Sequence, residues 1–250
     1  MAASPMEQFT IKPIIPLHLG GYDVSFTNQS LWMCIVVGGL SLFMAIAVWN
    51  RRLVPSRLQS MAEMSYEFVA GMLNMTSGED GLKFFPFIFT IFLFILGSNF
   101  FGLIPGAYTA TAQLCVTLAL TMLVIFTVIV TGFIRHGLGF FKLFVIKAPL
   151  FIAVPMALLE FISFCARPMS LSMRLFANML AGHTMLAVMA GFVVALAGAG
   201  GVLSALSIAP MLLIIGLAAL EFLVAFLQAY VFAILSCIYL SEAIHLHDNH

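Results

Sequence analysis

Long apolar runs separated by short polar connections dominate the chain. The uncharged run over 31–50 is long enough to cross a membrane once, because a helical span needs about 20 mainly apolar residues. A second, longer uncharged interval holds two more spans, which we place at 84–104 and 112–134. Pro105 and Gly106 lie between these two spans and indicate a turn. The pattern therefore predicts three upright transmembrane helices.

A different pattern covers 56–75, where apolar residues recur at helical spacing and polar residues fall on the opposite side. The apolar set is Leu58, Met61, Met64, Phe68, Val69, Met72 and Leu73, and the polar set is Gln59, Glu63, Glu67 and Asn74. Ser56, preceded by Pro55 and followed three residues later by Gln59, has the pattern of a capping box. We predict an amphipathic helix that lies on the membrane surface.

The two longest apolar stretches, 148–195 and 203–244, are separated by a glycine-rich connection at 198–201. As a helix, each would exceed about 60 Å, roughly twice the hydrocarbon thickness. They must therefore tilt strongly or break at a proline, with four candidates: Pro149, Pro155, Pro168 and Pro210. We predict a long tilted antiparallel helical hairpin, with 1–30 as an outer N-terminal segment and 245–250 as a polar tail.

Composition sets the class of protein. Hydrophobic residues make up 63% of the 250 residues and charged residues only 8%, against about 25% charged in soluble domains. A chain of this size cannot bury that much apolar surface in water, so lipid must be its solvent. We predict an all-α polytopic membrane protein. The net charge of zero argues against binding to nucleic acid, whose phosphates require clustered Lys and Arg.

Cysteines and the N-terminus add two expectations. The four cysteines are far apart, with no CxxC or Cys/His cluster, so we expect small buried hydrophobic residues and no metal site or disulfide framework: Cys34, Cys115, Cys165 and Cys237. Residues 1–30 lack the pattern of a cleavable signal peptide, so we expect the first span to be retained.

Basic residues predict the orientation of the chain. If the first span runs from outside to inside, seven basic residues fall in connections on the inner side: Arg51, Arg52, Arg57, Lys83, Arg135, Lys142 and Lys147. Only Lys12 falls on the other side. Because cytoplasmic loops carry an excess of Lys and Arg, we predict an outer N-terminus and an inner C-terminus.

Polar residues inside the two longest stretches are candidates for function. Each ionisable group near mid-membrane costs about 2.5–3.5 kcal/mol on insertion scales, so such residues mark functional sites by default. The set is Glu160, Arg167, Arg174, Asn178, His183, Glu221 and Gln228. The structural alternative is internal pairing, for example of Glu160 with Arg167 as a link between helices.

Helical geometry separates these candidates. At about 100° per residue, three of them lie within about 40° of Arg174, so four share one stripe. That stripe holds Glu160, Arg167, Arg174 and Asn178. His183 lies about 180° from Arg174 and faces a different neighbour. On the last helix, Glu221 and Gln228 align within about 20°.

An antiparallel hairpin also sets the depth of each group. It places Arg174 near the middle of the membrane, with His183 and Glu221 at one level in the outer half. Glu160 then lies alone in the inner half, and Glu242 lies at the inner surface. Histidine gains and loses a proton near neutral pH, whereas arginine does not release its proton. Titratable groups on both sides of an arginine predict two proton half-channels with a barrier between them.

Three segments resemble one family. Residues 168–183, which contain Arg174, resemble the signature of subunit a of the rotary F-type ATP synthase. Residues 98–105 are similar to the end of that family's third helix, and 221–228 to its last-helix motif. The similarity covers essentially the whole chain. The chain has His183 after the arginine and Glu221 in the last helix. This arrangement is similar to that of the family's mitochondrial and related bacterial branch.

The resemblance implies a non-catalytic stator subunit that packs against a ring of c-subunits and conducts protons, driving rotation coupled to ATP synthesis or, in reverse, ATP-driven pumping. It implies that Arg174 is the essential charge facing the ring carboxylate. The implied outer half-channel residues are Asn178, His183, Glu221 and Gln228. The implied inner residue is Glu160, with Glu242 as a further candidate. Arg167 is not carried over as essential.

Further partners implied are peripheral-stalk b-type subunits, the remainder of the ATP synthase and the lipid bilayer. We expect no cofactor and no direct nucleotide binding, since the chain has no GxxxxGK[ST] motif. A bacterial inner membrane is favoured over the mitochondrial one.

Two other classes remain as alternatives. A stand-alone ion-coupled secondary transporter usually has internal symmetry, which we do not find. A haem-binding electron carrier needs histidine ligands inside the helices. His183 is the only histidine well inside an apolar stretch, whereas His245, His247 and His250 belong to the polar tail.

Overall fold

The computed structural model describes residues 13–16, 18–19, 22–23, 25–49, 54–104, 108–137, 150–201, 204 and 206–244. These residues form six α-helices: α1 (Asn28–Trp49), α2 (Arg57–Gly81), α3 (Phe85–Gly102), α4 (Leu114–His136), α5 (Leu150–Gly198) and α6 (Ile208–Ile244). Two short 3₁₀ helices, Leu82–Phe84 and Ala110–Ala112, precede α3 and α4. The predicted turn at Pro105 and Gly106 and the polar tail lie outside the described residues.

Short strands precede α1. The first pair is antiparallel and joins β1 (Pro13–Ile15) to β4 (Phe26–Thr27). The second joins β2 (His18–Leu19) to β3 (Tyr22–Asp23). The sequence did not predict these strands, because elements of two or three residues are too short to show an alternating pattern.

Five helical stretches of the described chain are long and apolar enough to cross a membrane. They are Asn28–Trp49, Arg57–Gly102, Leu114–His136, Pro155–Gly198 and Ile208–Ile244. A helix satisfies its own backbone hydrogen bonds, so it is a structure that lipid tolerates. The chain is thus an all-α polytopic membrane protein, as the composition predicted.

Proline does not interrupt the long helix α5. It contains 49 residues and continues through Pro155 and Pro168, so a break at either proline is wrong. Transmembrane helices tolerate proline where neighbouring groups satisfy the freed backbone carbonyls. Pro210 lies in the first turn of α6, where no backbone N–H is needed. Pro149 lies outside the described residues.

The amphipathic helix α2 is longer than its periodicity predicted, and it has a kink at Gly78, whose φ is +62°. Ser56 caps the helix and accepts a hydrogen bond from the backbone N–H of Gln59 (3.4 Å). The side-chain amide of Gln59 donates through Nε2 to Glu63 Oε1 (2.8 Å). Gln59 is accordingly buried rather than on an exposed polar face.

The described residues belong to two compact units. Unit 1 comprises those within Met1–Ser41, Phe94–Gln113 and Leu175–Ala229. Its apolar core contains Ala112, Met179 and Ala225, with Phe100 and Leu103 packed against them. The ring of Phe100 stacks on Phe222, with 4.8 Å between centroids.

Unit 2 comprises the described residues within Leu42–Leu93, Leu114–Arg174 and Tyr230–His250. Its fully buried side chains include Val69, Leu73, Ile88, Phe92, Phe232 and Leu240. Two hydrogen bonds link α2 to α6. Ser77 Oγ donates to the carbonyl of Cys237 (3.3 Å), and Ser241 Oγ donates to the carbonyl of Thr76 (2.9 Å).

All four cysteines are free, and the expectation that they are buried is wrong for three of them. Cys34, Cys115 and Cys165 are exposed on apolar helices, and only Cys237 is buried. The physical reason is the solvent: a small apolar side chain can face lipid tails as well as a protein core.

Candidate functional site

Four polar residues of unit 1, which we call the His183 group, join α5 to α6. Asn178 Nδ2 donates to Gln228 Oε1 (3.0 Å), and His183 Nδ1 lies 3.7 Å from Glu221 Oε1. Residue numbers rise along α5 as they fall along α6, so these helix segments are antiparallel. The predicted approach of His183 to Glu221 is therefore confirmed.

Burial makes Glu221 and Gln228 chemically unusual. Each residue is only 4% exposed. Among the described residues, neither oxygen of Glu221 has a hydrogen-bond partner, and Gln228 Nε2 has none. A buried carboxylate without hydrogen bonds is costly when it is charged, and a proton on it or on the adjacent histidine reduces that cost. The pair is suited to exchanging one proton.

A glycine gives the Glu221 carboxylate its space. A Cβ added to Gly182 would lie 2.9 Å from Glu221 Cδ and 3.0 Å from Cγ, both closer than ordinary contact. The absence of a side chain at Gly182 therefore allows the carboxylate to lie against α5, beside the imidazole of the next residue. The sequence analysis did not identify this glycine as part of the site.

A loop of unit 1 supplies a further contact to the imidazole. Thr109 Oγ1 lies 3.0 Å from His183 Nε2 and also donates to the carbonyl of Gly102 (3.4 Å). Burial raises the pKa of the neighbouring Tyr108 phenol, and a hydrogen bond from Gln113 opposes that shift. The phenol therefore stays neutral at physiological pH.

Asn99 anchors the same loop. It is fully buried, accepts a hydrogen bond from Thr111 Oγ1 (2.8 Å), and donates through Nδ2 to the carbonyl of Ala225 (3.2 Å). The sequence analysis missed Asn99, Thr109 and Thr111. The sequence feature that could have identified them is the presence of hydroxyl and amide side chains in the otherwise apolar interval that contains α3 and the loop before α4.

A second polar set, the Arg167 group, lies in unit 2. Arg167 Nη2 is 3.6 Å from Glu160 Oε1, and Arg167 Nη1 donates to Glu242 Oε2. The guanidinium also lies over the ring of Tyr239, 5.4 Å from its centroid. The expectation that Glu160 stands alone is wrong. The Glu160–Arg167 pair lies within α5, and the link between helices is the contact of Arg167 with Glu242.

Arg174 lies on α5 between the Arg167 group and the His183 group in sequence. Its side chain is exposed, and it forms no ion pair with any residue that the structure describes. An exposed, unneutralised arginine in the middle of an apolar helix is costly in lipid, so it is expected to face a partner or water.

The chain carries titratable side chains along an antiparallel pair of membrane-spanning helices. Such residues mark ion pathways and proton relays, so the fold and the site define a polytopic protein that conducts ions. Residues 30–241 match the family model described as ATP synthase A chain. The chain belongs to this family, as the sequence motifs suggested.

Curated relatives cover nearly the full length. ATP synthase subunit a of Mesorhizobium japonicum is 53% identical over 242 residues, which cover 96% of each chain. ATP synthase subunit a of Agrobacterium fabrum is 52% identical over 251 residues, covering 98% of this chain and 99% of the relative. ATP synthase subunit a 1 of Brucella anthropi is 52% identical, with the same shares covered. The chain is thus a proton-conducting, non-catalytic membrane component of an ATP synthase, and these matches give no support to a stand-alone transporter.

Proposed function

We propose that the chain passes protons between each side of the membrane and a ring of c-subunits, through two half-channels separated by Arg174. The observation that carries this proposal is the contact of the partly buried His183 with the buried Glu221. The proton flow drives rotation coupled to ATP synthesis and, in reverse, ATP hydrolysis drives proton pumping.

The His183 group forms the outer half-channel in this proposal. One proton moves between the carboxyl of Glu221 and Nδ1 of His183, so that a neutral acid and imidazole become a carboxylate and an imidazolium. Net charge is unchanged. The 3.7 Å separation exceeds a direct hydrogen bond, and one bridging water or a small side-chain rotation closes it. Asn178 and Gln228, joined by their own hydrogen bond, add polar groups to this half-channel, and Asn178 follows Arg174 by four residues in the sequence of α5.

Arg174 acts as the barrier between the half-channels. Its guanidinium remains protonated, so it attracts a ring carboxylate that has lost its proton but does not relay a proton itself. The exposure of Arg174 supports a contact with another subunit. Most of the apolar residues of α5 are not buried within the chain, which supports a large face covered by a partner.

The inner half-channel uses Glu160 and Glu242. Arg167 contacts both carboxylates and so supports a negatively charged polar entrance at this end of α5. In the proposed orientation the N-terminus is outside and the C-terminus is inside, in a bacterial inner membrane. Peripheral-stalk b-type subunits hold the protein against rotation, and α2 lies on the inner membrane surface.

The test is an exchange of the two titratable residues of the outer half-channel. His183→Ala and Glu221→Ala should each lower ATP-driven proton uptake by inverted vesicles about tenfold or more, as expected for lost proton-transfer groups. The double variant with His183→Glu and Glu221→His should recover part of the rate, because an acid and a base on one path can trade places. Rates are compared per assembled complex, measured by co-purification of the ATPase head.

Full activity in both single variants would contradict the proposed outer half-channel. A double variant that shows only the multiplied losses of the single variants would mean that the two residues act independently.

A further inference from the structure

We infer that Thr109 is a positioning residue for proton transfer, which fixes the imidazole of His183 so that Nδ1 faces Glu221. This inference deepens the proposed outer half-channel and rests on it. It concerns a residue of the loop before α4 that carries no ionisable group.

Contacts at both nitrogens of the imidazole bear on its orientation. Thr109 Oγ1 lies 3.0 Å from Nε2, and Glu221 Oε1 lies 3.7 Å from Nδ1 on the other side of the ring. Rotating the ring by 180° about its bond to Cβ would place carbon atoms where the two nitrogens now lie. The threonine contact therefore distinguishes the productive ring orientation from the reversed one.

The hydroxyl also selects which ring nitrogen carries the proton in the neutral imidazole. A threonine hydroxyl has one proton to donate and two lone pairs. We assign its proton to the carbonyl of Gly102 (3.4 Å), which can only accept, so a lone pair of Oγ1 accepts from Nε2–H of His183. Nδ1 is then the basic nitrogen, and it is the one that faces the carboxyl of Glu221. Nδ1 accepts the proton from Glu221 and returns it in the reverse step.

The loop holds Thr109 in place independently of His183. A Cβ on Gly102 would lie 2.7 Å from Thr109 Oγ1, so the glycine permits the close approach of the threonine to the end of α3. Two residues further, Thr111 is bonded to Asn99, which is itself bonded to the backbone of α6 at Ala225. Thr109 is 4% exposed. A buried hydroxyl anchored in this way can impose an orientation on a neighbouring ring.

The experiment compares three substitutions in the assembled complex. Thr109→Val removes the hydroxyl at nearly constant volume, and Thr109→Ser restores it. Thr184→Val is the matched control, because Thr184 follows His183 directly but donates its hydroxyl to the carbonyl of Leu180 within α5 (2.6 Å). ATP-driven proton uptake is measured per assembled complex, beside a His183→Ala variant.

We expect Thr109→Val to lower proton uptake about three- to tenfold, the factor that corresponds to one lost hydrogen bond that orients the ring. Thr109→Ser should recover most of the rate, and Thr184→Val should behave like the unsubstituted protein. If Thr109→Val does not assemble, Thr109→Ala takes its place, with the same expected loss and the same recovery by serine.

Three results would overturn the inference, and they are distinguishable from failure of the proposed half-channel. Normal uptake by Thr109→Val, with uptake lost in His183→Ala, would remove the role of Thr109 and leave the half-channel intact. Low uptake in both Thr109→Val and Thr109→Ser would show that a hydroxyl at this position does not restore transfer, so the shape of the side chain and not its hydroxyl would be what matters. Normal uptake in His183→Ala would contradict the half-channel and the inference together.

Discussion

Replacement of Gly182 by alanine should displace the Glu221 carboxylate without unfolding the protein. The added Cβ would lie 2.9 Å from Glu221 Cδ, and carbon atoms in favourable contact are about 3.5 Å or more apart. The carboxyl carbon must therefore move about 0.6 Å or more from its position beside Gly182, which changes its geometry relative to the adjacent imidazole. Because the displaced group is the end of a flexible side chain, rotation of Glu221 relieves the overlap.

The Gly182→Ala substitution should therefore impair proton transfer much more than folding. Alanine is a better helix former than glycine by about 0.8–1.0 kcal/mol in peptides, which offsets part of the cost of moving Glu221. Proton transfer depends on position, and a misplacement of about 1 Å can lower a rate about 100-fold. We expect Gly182→Ala to assemble normally and to lower ATP-driven proton uptake about tenfold or more.

Gly191→Ala is the matched control. Gly191 lies on the same helix, and a Cβ added there meets no atom within 4 Å, so uptake should be unchanged. Both variants are measured in inverted vesicles and compared per assembled complex. Equal uptake by Gly182→Ala and Gly191→Ala would refute the view that the space beside Gly182 positions the Glu221 carboxylate.

Two further predictions concern the remaining polar contacts. Asn178→Leu and Gln228→Leu should each lower proton uptake. In a double-mutant cycle the two changes should couple by about 1 kcal/mol, because either one removes the same hydrogen bond. Fully additive effects would count against the contact. Arg167→Gln should lower the free energy of unfolding of the purified complex by about 1 kcal/mol, measured by thermal denaturation, because it leaves two carboxylates without their shared cation. Adding Glu242→Gln to this variant should restore part of that loss. No recovery in that double variant would show that Arg167 stabilises the protein in another way.

The membrane helices and the contact of His183 with Glu221 could be predicted from the sequence. Lipid permits few backbone structures, so an uncharged apolar run of sufficient length must be a helix. The contact of His183 with Glu221 follows from the rise per residue along two antiparallel helices, because both residues lie at a similar distance from the connection between those helices.

The loop contacts could not be predicted in the same way. Thr109 reaches His183 because Gly102 permits a close approach and because Asn99 ties the loop to α6, and both depend on tertiary packing. Periodicity describes which face of one helix a residue occupies, but not which side chain a loop brings to that face.

The contact between Arg167 and Glu242 depends on the rotation of α5 relative to α6 within unit 2. The sequence placed Arg167 on the stripe of Arg174 and Glu242 at the inner surface, but it did not pair them. A change of one residue in the register of either helix turns a side chain by about 100°, so such a pair follows from packing and not from spacing alone.

In the proposed function, Arg174 is the charge that faces the ring. This role is tested by ATP-driven proton uptake in inverted vesicles carrying Arg174→Ala, with co-purification of the ring and the ATPase head to verify assembly. Arg57→Ala is the control, since Arg57 is also exposed but lies at the start of α2. We predict that Arg174→Ala abolishes uptake in an intact complex, while Arg57→Ala retains it. Normal uptake by the assembled Arg174→Ala complex would contradict the two half-channels and the barrier between them.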